Sequence, residues 1–218
     1  MKTLYLVRHG ENHANITREF SHRAVDYSLT QKGVEQARQT AAYLATLPID
    51  AVFASPLKRA QETAAPIAAA LGVPVVTDEG FCELNVGTLE TEGELEANWR
   101  IHHAILDRWR RGQADAAFPA GENYHQLTAR FCAAVERVLA ATASAAVIVG
   151  HGGNLRFGVP VVAHWEVPEP SELSPNCSIS TLQFAAGIPG RAVAWADVTH
   201  LSGRAAQFVA GVIPRQSL

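Results

Sequence analysis

Two histidines, each flanked by glycine, follow short apolar segments of strand character. The two segments are Val7-Arg8-His9-Gly10 and Val149-Gly150-His151-Gly152. Ligands of open α/β sheets bind beyond the carboxyl ends of the strands, so we expect both imidazoles at one edge of a sheet. Glycine beside them allows the backbone to approach a ligand closely, with its amide free to donate.

Two arginines provide the positive charge that such a site would use. Arg8 and Arg59 are candidate bidentate clamps, because a guanidinium matches phosphate oxygens better than an ammonium does. The helix predicted after His151 adds the positive end of its dipole, which favours an anion. Two histidines, two arginines and a helix N-terminus together indicate a site for phosphate.

The composition limits the class of protein. The chain has 218 residues, 48% hydrophobic and 18% charged, which is typical of one globular domain spanning 1–218. A net charge of −3 offers no basic field, so nucleic acid is not an expected partner. No apolar run approaches the roughly 20 residues of a membrane span, and no signal-peptide core is present, so a cytoplasmic protein without membrane contact is expected. Three widely spaced cysteines suit neither a disulfide framework nor a zinc site.

The order of the elements predicts an α/β fold. Strands and helices alternate from the first residues onward, which is typical of a mostly parallel central sheet with helices on both faces, a three-layer sandwich. The predicted strands are 4–7, 50–54, 73–77, 146–149, 178–184 and 191–198, of which the last two form an antiparallel hairpin. The predicted helices are 31–45, 56–71, 94–111, 122–143 and one that opens near residue 155.

Several local signals set the expected boundaries. Thr30 is a predicted N-cap, and Ser55 with Pro56 at the first helical position predicts the start of the next helix. Pro66 predicts a kink or a break in that helix, and Gly72 its C-terminal cap. Residues 13–30 are polar and aperiodic, which predicts a functional loop.

Residues 84–121 interrupt the alternating pattern and are interpreted as a covering insertion, a small helical and loop cap over the edge of the sheet. Within its helix, core packing is the expected role of Trp99 and Trp109. His102 and His103 are expected on a solvated or half-buried helix face.

Seven motifs follow one another along nearly the whole chain. They are LVRHGENHAN (6–15), LTQKGVEQA (29–37), SPLKRAQETA (55–64), CEL (82–84), PAGEN (119–123), VGHGG (149–153) and NCSIS (176–180). In these motifs and their order the chain resembles the histidine phosphatase superfamily, which contains cofactor-dependent phosphoglycerate mutases and many small phosphatases. The resemblance implies a phosphoglycerate mutase-like fold.

The resemblance also implies a phosphohistidine mechanism that requires neither metal nor cofactor. His9 would be the nucleophile, held neutral by a hydrogen bond from its other ring nitrogen to a backbone carbonyl near the glycine turn. Arg8, Arg59 and His151 would surround the transferring phosphoryl group and offset the charge on its equatorial oxygens.

Other residues take supporting roles in the same scheme. Glu83 would be the general acid, protonating the leaving oxygen and later activating water. Asn15 and the amide of Gly152 would add donors to the phosphate, and Arg23 would contact the remainder of the substrate. His13 and His22 lie near His9 in the sequence, but they lack the usual spacing of metal ligands.

The sequence departs from the family pattern after the predicted acid. Relatives carry a Gly-x-Trp-Glu-Gly element there, whereas this chain has Gly-Thr-Leu-Glu-Thr at 87–91. The departure leaves Glu11 and Glu90 as rivals to Glu83 for the acid.

Three functions remain open at this point. The favoured one is a phosphomonoesterase acting on a small phosphorylated metabolite, because residues 84–118 form a short insertion without the Lys- and Tyr-rich pattern of a mutase. The loop at 20–26 also differs from the mutase form. A cofactor-dependent phosphoglycerate mutase is the alternative, and an inactive phosphate-binding module is the third. The sequence leaves open whether two copies form a homodimer.

Overall fold

The computed structural model describes residues 1–163, 174–185 and 190–208. Its strands are β1 (Lys2–Arg8), β2 (Ala51–Ala54), β3 (Val75–Thr77), β4 (Ala145–Gly150), β5 (Ile179–Phe184) and β6 (Arg191–Asp197). Its α-helices are α1 (His13–Thr17), α2 (Gln31–Leu44), α3 (Lys58–Leu71), α4 (Leu95–Arg110), α5 (Tyr124–Ala141) and α6 (Gly152–Ala163). Short 3₁₀ turns occupy Glu79–Phe81, Gly87–Glu90 and Gly203–Ala206.

The strands form one sheet in the order β3-β2-β4-β1-β5-β6. The four strands from β3 to β1 are parallel, and the hairpin of β5 and β6 continues the sheet in antiparallel pairing. The mostly parallel sheet is therefore confirmed. Because β1 and β4 are neighbours with Arg8 opposite Gly150, the two histidines that follow them emerge side by side.

Strand alternation divides the core between two faces of the sheet. On one face, Leu4 and Leu6 belong to a buried cluster with Phe131 of α5 and Leu155 of α6. On the other face, Val7 belongs to a cluster that includes residues of α2 and α3. Helices therefore cover both faces, as the sequence predicted for a three-layer sandwich.

Two of the predicted helix boundaries are confirmed. Thr30 caps α2, and its hydroxyl accepts from the amide of Gly33 at 3.0 Å. Gly72 ends α3 in the left-handed conformation, with φ of 69°, which glycine adopts without steric cost.

The start of α3 was predicted wrongly. The helix begins at Lys58 with Leu57 as its N-cap, not at Pro56. Ser55 is instead engaged by His151, whose Nε2 lies 2.7 Å from the serine hydroxyl. The predicted break at Pro66 is absent, because α3 continues through it to Leu71.

The segment 13–30 is not entirely a loop. Its first residues form α1, which Asn12 caps by accepting from the amide of Asn15 at 3.2 Å. The predicted turn between β5 and β6 falls on residues 186–189, outside the described residues. Within the described ranges, no helix has the length and apolar character that crossing a membrane requires.

Candidate active site

His9 stands immediately after β1 with its ring held on both sides. Its Nδ1 lies 2.7 Å from the carbonyl oxygen of Gly10, and its Nε2 lies 3.2 Å from Nε of Arg59. Because a guanidinium only donates, Nε2 must accept, and the ring proton therefore sits on Nδ1. The side chain is thus a neutral imidazole with the lone pair on Nε2.

Burial and positive charge reinforce that neutral state. His9 is 3% exposed. Desolvation, followed by the charges of Arg59 and Arg8, lowers the pKa of His9 well below its ordinary value of 6.5. Nε2 therefore carries no proton at neutral pH, which is the state that a base or nucleophile requires.

His151 lies against His9, with 5.1 Å between the ring centroids. Its Nε2 contacts the Ser55 hydroxyl, whereas its buried Nδ1 has no hydrogen-bond partner among the described residues. The pKa of His151 lies well below its ordinary value, mainly because the ring is buried and next because Arg59 is positively charged. Unpaired buried polar atoms are rare in native proteins, so this Nδ1 indicates room for a ligand.

The two predicted arginines are buried beside these rings. Arg8 donates from Nη1 to the carbonyl oxygen of Ser174, while its buried Nε has no partner within the described part of the chain. Arg59 is 2% exposed and donates from Nη1 to Asp26 at 3.2 Å and from Nη2 to the Ser21 carbonyl at 2.8 Å. Desolvation lowers the pKa of Arg8 to about 10, so it remains charged at neutral pH.

A close backbone approach fixes the turn that carries His9. The amide of Gly10 donates to the Thr63 hydroxyl at 2.9 Å, and a Cβ at Gly10 would lie 2.6 Å from the carbonyl oxygen of Gly33 in α2. Only glycine fits that space. The Gly10 carbonyl is thereby directed toward the imidazole.

The predicted acid, Glu83, lies at the N-terminus of α6. Its carboxylate accepts from the amides of Gly153 at 3.1 Å, Asn154 at 2.9 Å and Leu84 at 2.7 Å. A carboxylate is favoured there by the free amides and the helix dipole. Glu83 and His9 both line one cleft.

Arg130 of α5 fixes the segment that carries Glu83. Its guanidinium donates to the backbone carbonyls of Gly80, Cys82 and Glu83 at 2.8–3.0 Å. It also forms a bidentate pair with Glu122, at 2.7 and 2.9 Å. Arg130 therefore ties the backbone of residues 80–83 to α5.

The two rival carboxylates are engaged elsewhere. Glu11 pairs with Lys32 and accepts from the Thr30 hydroxyl at 2.9 Å. Glu90 accepts from the amides of His22 at 2.5 Å and Val25 at 2.9 Å. Neither lines the cleft, so the geometry favours Glu83 over both.

Some of the predicted substrate-contacting residues lie in the cleft wall and others do not. Asn15 lines the cleft, and Gly152 opens α6 directly after His151. Arg23 is not among the lining residues, and it pairs with Glu79 on the surface. Asn176 lines the cleft and donates to Asn15 Oδ1 and to the His9 carbonyl, both at 3.0 Å.

The cleft has a volume of about 1020 Å³. Its described walls hold six arginines and three glutamates, although the chain as a whole carries a net charge of −3. One face of α4 forms the outer wall with side chains at helical spacing. These are Leu95, Glu96, Trp99, His102, His103, Leu106 and Arg110.

The two tryptophans of α4 differ in role. Trp109 is buried and donates to the Ala116 carbonyl at 2.6 Å, as expected for core packing. Trp99 instead lines the cleft and donates to the Arg18 carbonyl at 2.9 Å. His102 and His103 also line the cleft rather than only facing solvent.

Several site residues were missed by sequence reasoning. Ser55 and Glu122 lie within recognised motifs, but Ser55 was interpreted as a helix cap and Glu122 received no role. Asp26 and Arg130 carry no local signal, because only the tertiary contacts join them to Arg59 and Glu83. Among the described residues, no group of three or more His, Cys, Asp or Glu side chains is arranged to hold a metal ion.

We expect Arg130→Lys to lower the free energy of unfolding by about 2 kcal/mol, because a lysine cannot reproduce the fork of hydrogen bonds to Glu122 and the 80–83 backbone. Urea denaturation measures the change. Arg137→Lys is the matched control on the same helix. Arg137 also forms a bidentate pair, with Asp78, but its side chain is 57% exposed, so its loss should stay below about 1 kcal/mol. Equal losses in the two variants would contradict the role given to Arg130.

Five histidine side chains have lowered pKa values, and they predict that the stability of the protein depends on pH. Burial is the main cause of a lowered pKa in His9, His22, His102, His151 and His200. Below pH 6.5 these imidazoles become protonated in the unfolded chain but stay neutral in the folded protein. The free energy of unfolding therefore falls as the pH falls. For each group the slope approaches about 1.4 kcal/mol per pH unit.

Urea denaturation at about pH 7.5, 6.5 and 5.5 measures this loss. The two carboxyl groups with lowered pKa values do not contribute to the change in unfolding free energy over this pH range. The lowered pKa values of Asp50 and Asp78, due to hydrogen bonds, affect stability only below their ordinary value of 3.8. A stability that is constant from pH 7.5 to 5.5 would contradict the neutral, buried state of the histidines.

Comparison with known proteins agrees with this geometry. A family model of the histidine phosphatase superfamily (branch 1) matches residues 4–197. The protein "Probable phosphoglycerate mutase GpmB" of Enterobacter sp. (strain 638) is 34% identical over 221 residues, covering 94% of this chain and 97% of that protein.

Solved structures share the fold. Bacillus stearothermophilus YhfR superposes with a TM-score of 0.77 at 25% identity, over 92% of this chain and 99% of that one. A mycobacterial glucosyl-3-phosphoglycerate phosphatase superposes with a TM-score of 0.76 at 23% identity, over 91% and 100% of the two chains. With this match across almost all of its length, the chain belongs to the histidine phosphatase superfamily.

Proposed function

We propose that this protein is a metal-independent phosphomonoesterase that hydrolyses a small phosphorylated metabolite through a phosphohistidine on His9. One observation carries the proposal. A neutral imidazole presents its Nε2 lone pair beside buried donors, Arg8 Nε and His151 Nδ1, that lack partners among the described residues. A phosphoryl group bound there would satisfy those donors and place its phosphorus before the nucleophile.

In the first step, a phosphoryl oxygen replaces His9 Nε2 as the acceptor of the Arg59 Nε–H. The freed Nε2 lone pair attacks phosphorus, and the bond to the ester oxygen breaks. Glu83, protonated, gives its proton to the leaving oxygen, so the alcohol departs neutral. The imidazole is left as N-phosphohistidine, with its Nδ1 proton still donated to Gly10.

In the second step, Glu83 accepts a proton from water as the water oxygen attacks phosphorus. The P–N bond breaks, inorganic phosphate leaves and His9 regains its lone pair. Arg8, Arg59 and His151 would offset charge on the equatorial oxygens in both steps. Asp26 and Ser21 hold Arg59 in place, which supports a preorganised site.

A phosphoglycerate mutase is the second candidate, since curated relatives at 34% identity bear that name. The two reactions share the first step and differ in what accepts the phosphoryl group. Hydrolysis passes it to water, whereas a mutase returns it to the sugar acid. The residues 84–118 form a short cap without the Lys- and Tyr-rich pattern of a mutase, which favours hydrolysis.

We expect phosphate release from a panel of phosphorylated metabolites that persists in excess EDTA, and an acid-labile phosphate on His9 after rapid quenching. His9→Ala should lower kcat/KM by at least about a thousandfold, because the nucleophile is removed. His13→Ala is the matched control. Its ring is exposed outside the cleft, so its activity should stay within about twofold of wild type. Interconversion of 3- and 2-phosphoglycerate without phosphate release would instead identify a mutase, and an unlabelled His9 with full activity in His9→Ala would refute the mechanism.

We expect Glu83→Gln to slow phosphoenzyme formation by about 10²- to 10⁴-fold with an alkyl phosphate, whose leaving oxygen needs a proton. With p-nitrophenyl phosphate, whose leaving group departs readily as an anion, the loss in the same step should be far smaller. Rapid-quench kinetics of the first turnover measure both rates.

Glu90→Gln serves as the control for the rival carboxylate. Glu90 holds the 22–25 backbone, so its loss should change the two rates by the same factor. A leaving-group dependence in Glu90→Gln, and none in Glu83→Gln, would transfer the acid role to Glu90.

A further inference from the structure

Arg156, on the first turns of α6, is a half-buried cation in the wall of the cleft. Its Nε and Nη2 are buried and have no hydrogen-bond partner among the described residues. Its guanidinium carbon lies 5.4 Å from the centroid of the Phe157 ring, which is a cation–π contact. No carboxylate in the described ranges pairs with it.

Two residues of α4, Arg110 and His102, line the cleft together with Arg156. Arg110 is close enough that its positive charge, after burial, contributes to lowering the pKa of Arg156 to about 10. His102 also adjoins Arg156, and its buried Nδ1 lacks a partner in the described chain. Burial lowers the pKa of His102 to about 3, so the ring is neutral at pH 7 and able to donate or accept.

We propose that Arg156, with Arg110 and His102, binds a second anionic group of the substrate, so that the preferred substrates are phosphomonoesters bearing a carboxylate or a second phosphate. This inference rests on the phosphatase function proposed above. It assigns a role to three side chains that the catalytic cycle leaves unused.

The energetics favour an anion at this place. A half-buried guanidinium with two unpaired N–H groups has lost hydration without gaining a partner, which is costly. A carboxylate or phosphate oxygen would restore both hydrogen bonds through charge-assisted contacts, which are stronger than neutral ones. Two of the three glutamates of the cleft wall have other partners in the structure. Glu83 is bound to amides, and Glu19 accepts from the Thr17 hydroxyl at 2.7 Å.

The position suits a small bifunctional molecule. Gly152 and Arg156 are separated by four residues of α6, which is about 6 Å along the helix axis. One metabolite can therefore reach His9 with its phosphoryl group and Arg156 with a second anion. Trp99, Leu106 and Phe157 line the space as an apolar wall for the carbon chain between them.

Three matched phosphomonoesters test the proposal. They are propyl phosphate, 3-phosphonooxypropanoate and propane-1,3-diyl bisphosphate, which differ only in the group at the far end. The measured quantity is the preference ratio, kcat/KM for each bifunctional ester divided by kcat/KM for propyl phosphate. We expect a ratio of at least about ten for one of the two, and the larger ratio identifies carboxylate or phosphate as the group recognised.

Arg156→Gln should lower that ratio about 10- to 100-fold, and Arg156→Lys should restore part of it. Arg111→Gln makes the same change of charge at an exposed position outside the cleft wall, and it should leave the ratio within about twofold. The urea midpoint of Arg156→Gln should equal or exceed that of wild type, because a buried charge without an ion-pair partner in the described chain is removed and only the contact with the Phe157 ring is lost. A ratio near one in wild type, or the wild-type ratio kept in Arg156→Gln, would overturn the proposal.

Binding separates this inference from the proposed activity. In a His9→Ala background, calorimetry gives the Kd of 3-phosphonooxypropanoate, of the bisphosphate and of propyl phosphate without turnover. A tighter Kd for a bifunctional ester that is lost in His9→Ala/Arg156→Gln supports the subsite even if no ester is hydrolysed. If each bifunctional ester has the same Kd in His9→Ala and in His9→Ala/Arg156→Gln, the subsite is refuted even if the phosphatase activity is found.

Discussion

Arg59 donates Nε–H to Nε2 of His9, and that contact requires the imidazole to be neutral with its proton on Nδ1. The opposite side of the ring must then find an acceptor, which the carbonyl oxygen of Gly10 provides. That carbonyl lies where it does because a turn without a side chain can pack against Gly33 of α2. The state of the nucleophile thus depends on backbone packing two elements away from the chemistry.

Positive charge is concentrated in the cleft at some cost to folding. Arg8 and Arg59 are buried beside two imidazoles, and described carboxylates compensate only part of their charge. Asp26 offsets Arg59, whereas Arg8 relies on the carbonyl of Ser174. An anion entering this site gains attraction that solvent would otherwise screen, because Arg8 and Arg59 are buried. The arrangement favours the binding of an anion such as phosphate.

The cleft has two halves with different origins. The catalytic half is formed where β1 and β4 end and where α6 begins, so the sheet itself aligns its residues. The outer half is formed by one face of α4 and by the residues after α1. Members of one superfamily can share the first half and differ in the second, because side chains on an inserted helix change without disturbing the sheet. Under the proposed function, the attack on phosphorus depends on the first half, whereas the choice of substrate and of phosphoryl acceptor depends on the second.

The sequence by itself determined the order of the elements and the mostly parallel sheet, and it predicted His9, His151, Arg8 and Arg59 as site residues. It could do so because strand periodicity, glycine turns and contiguous motifs are local properties of the chain. The motifs favoured Glu83 as the acid over Glu11 and Glu90, and the tertiary structure decided that Glu83, unlike those two, lines the cleft. It also reassigned Ser55 from a helix cap to a partner of His151, and brought Trp99, His102 and Arg156 into one wall. Those contacts join residues far apart in the chain, and their distances depend on how α4, α5 and α6 pack, which no local pattern encodes.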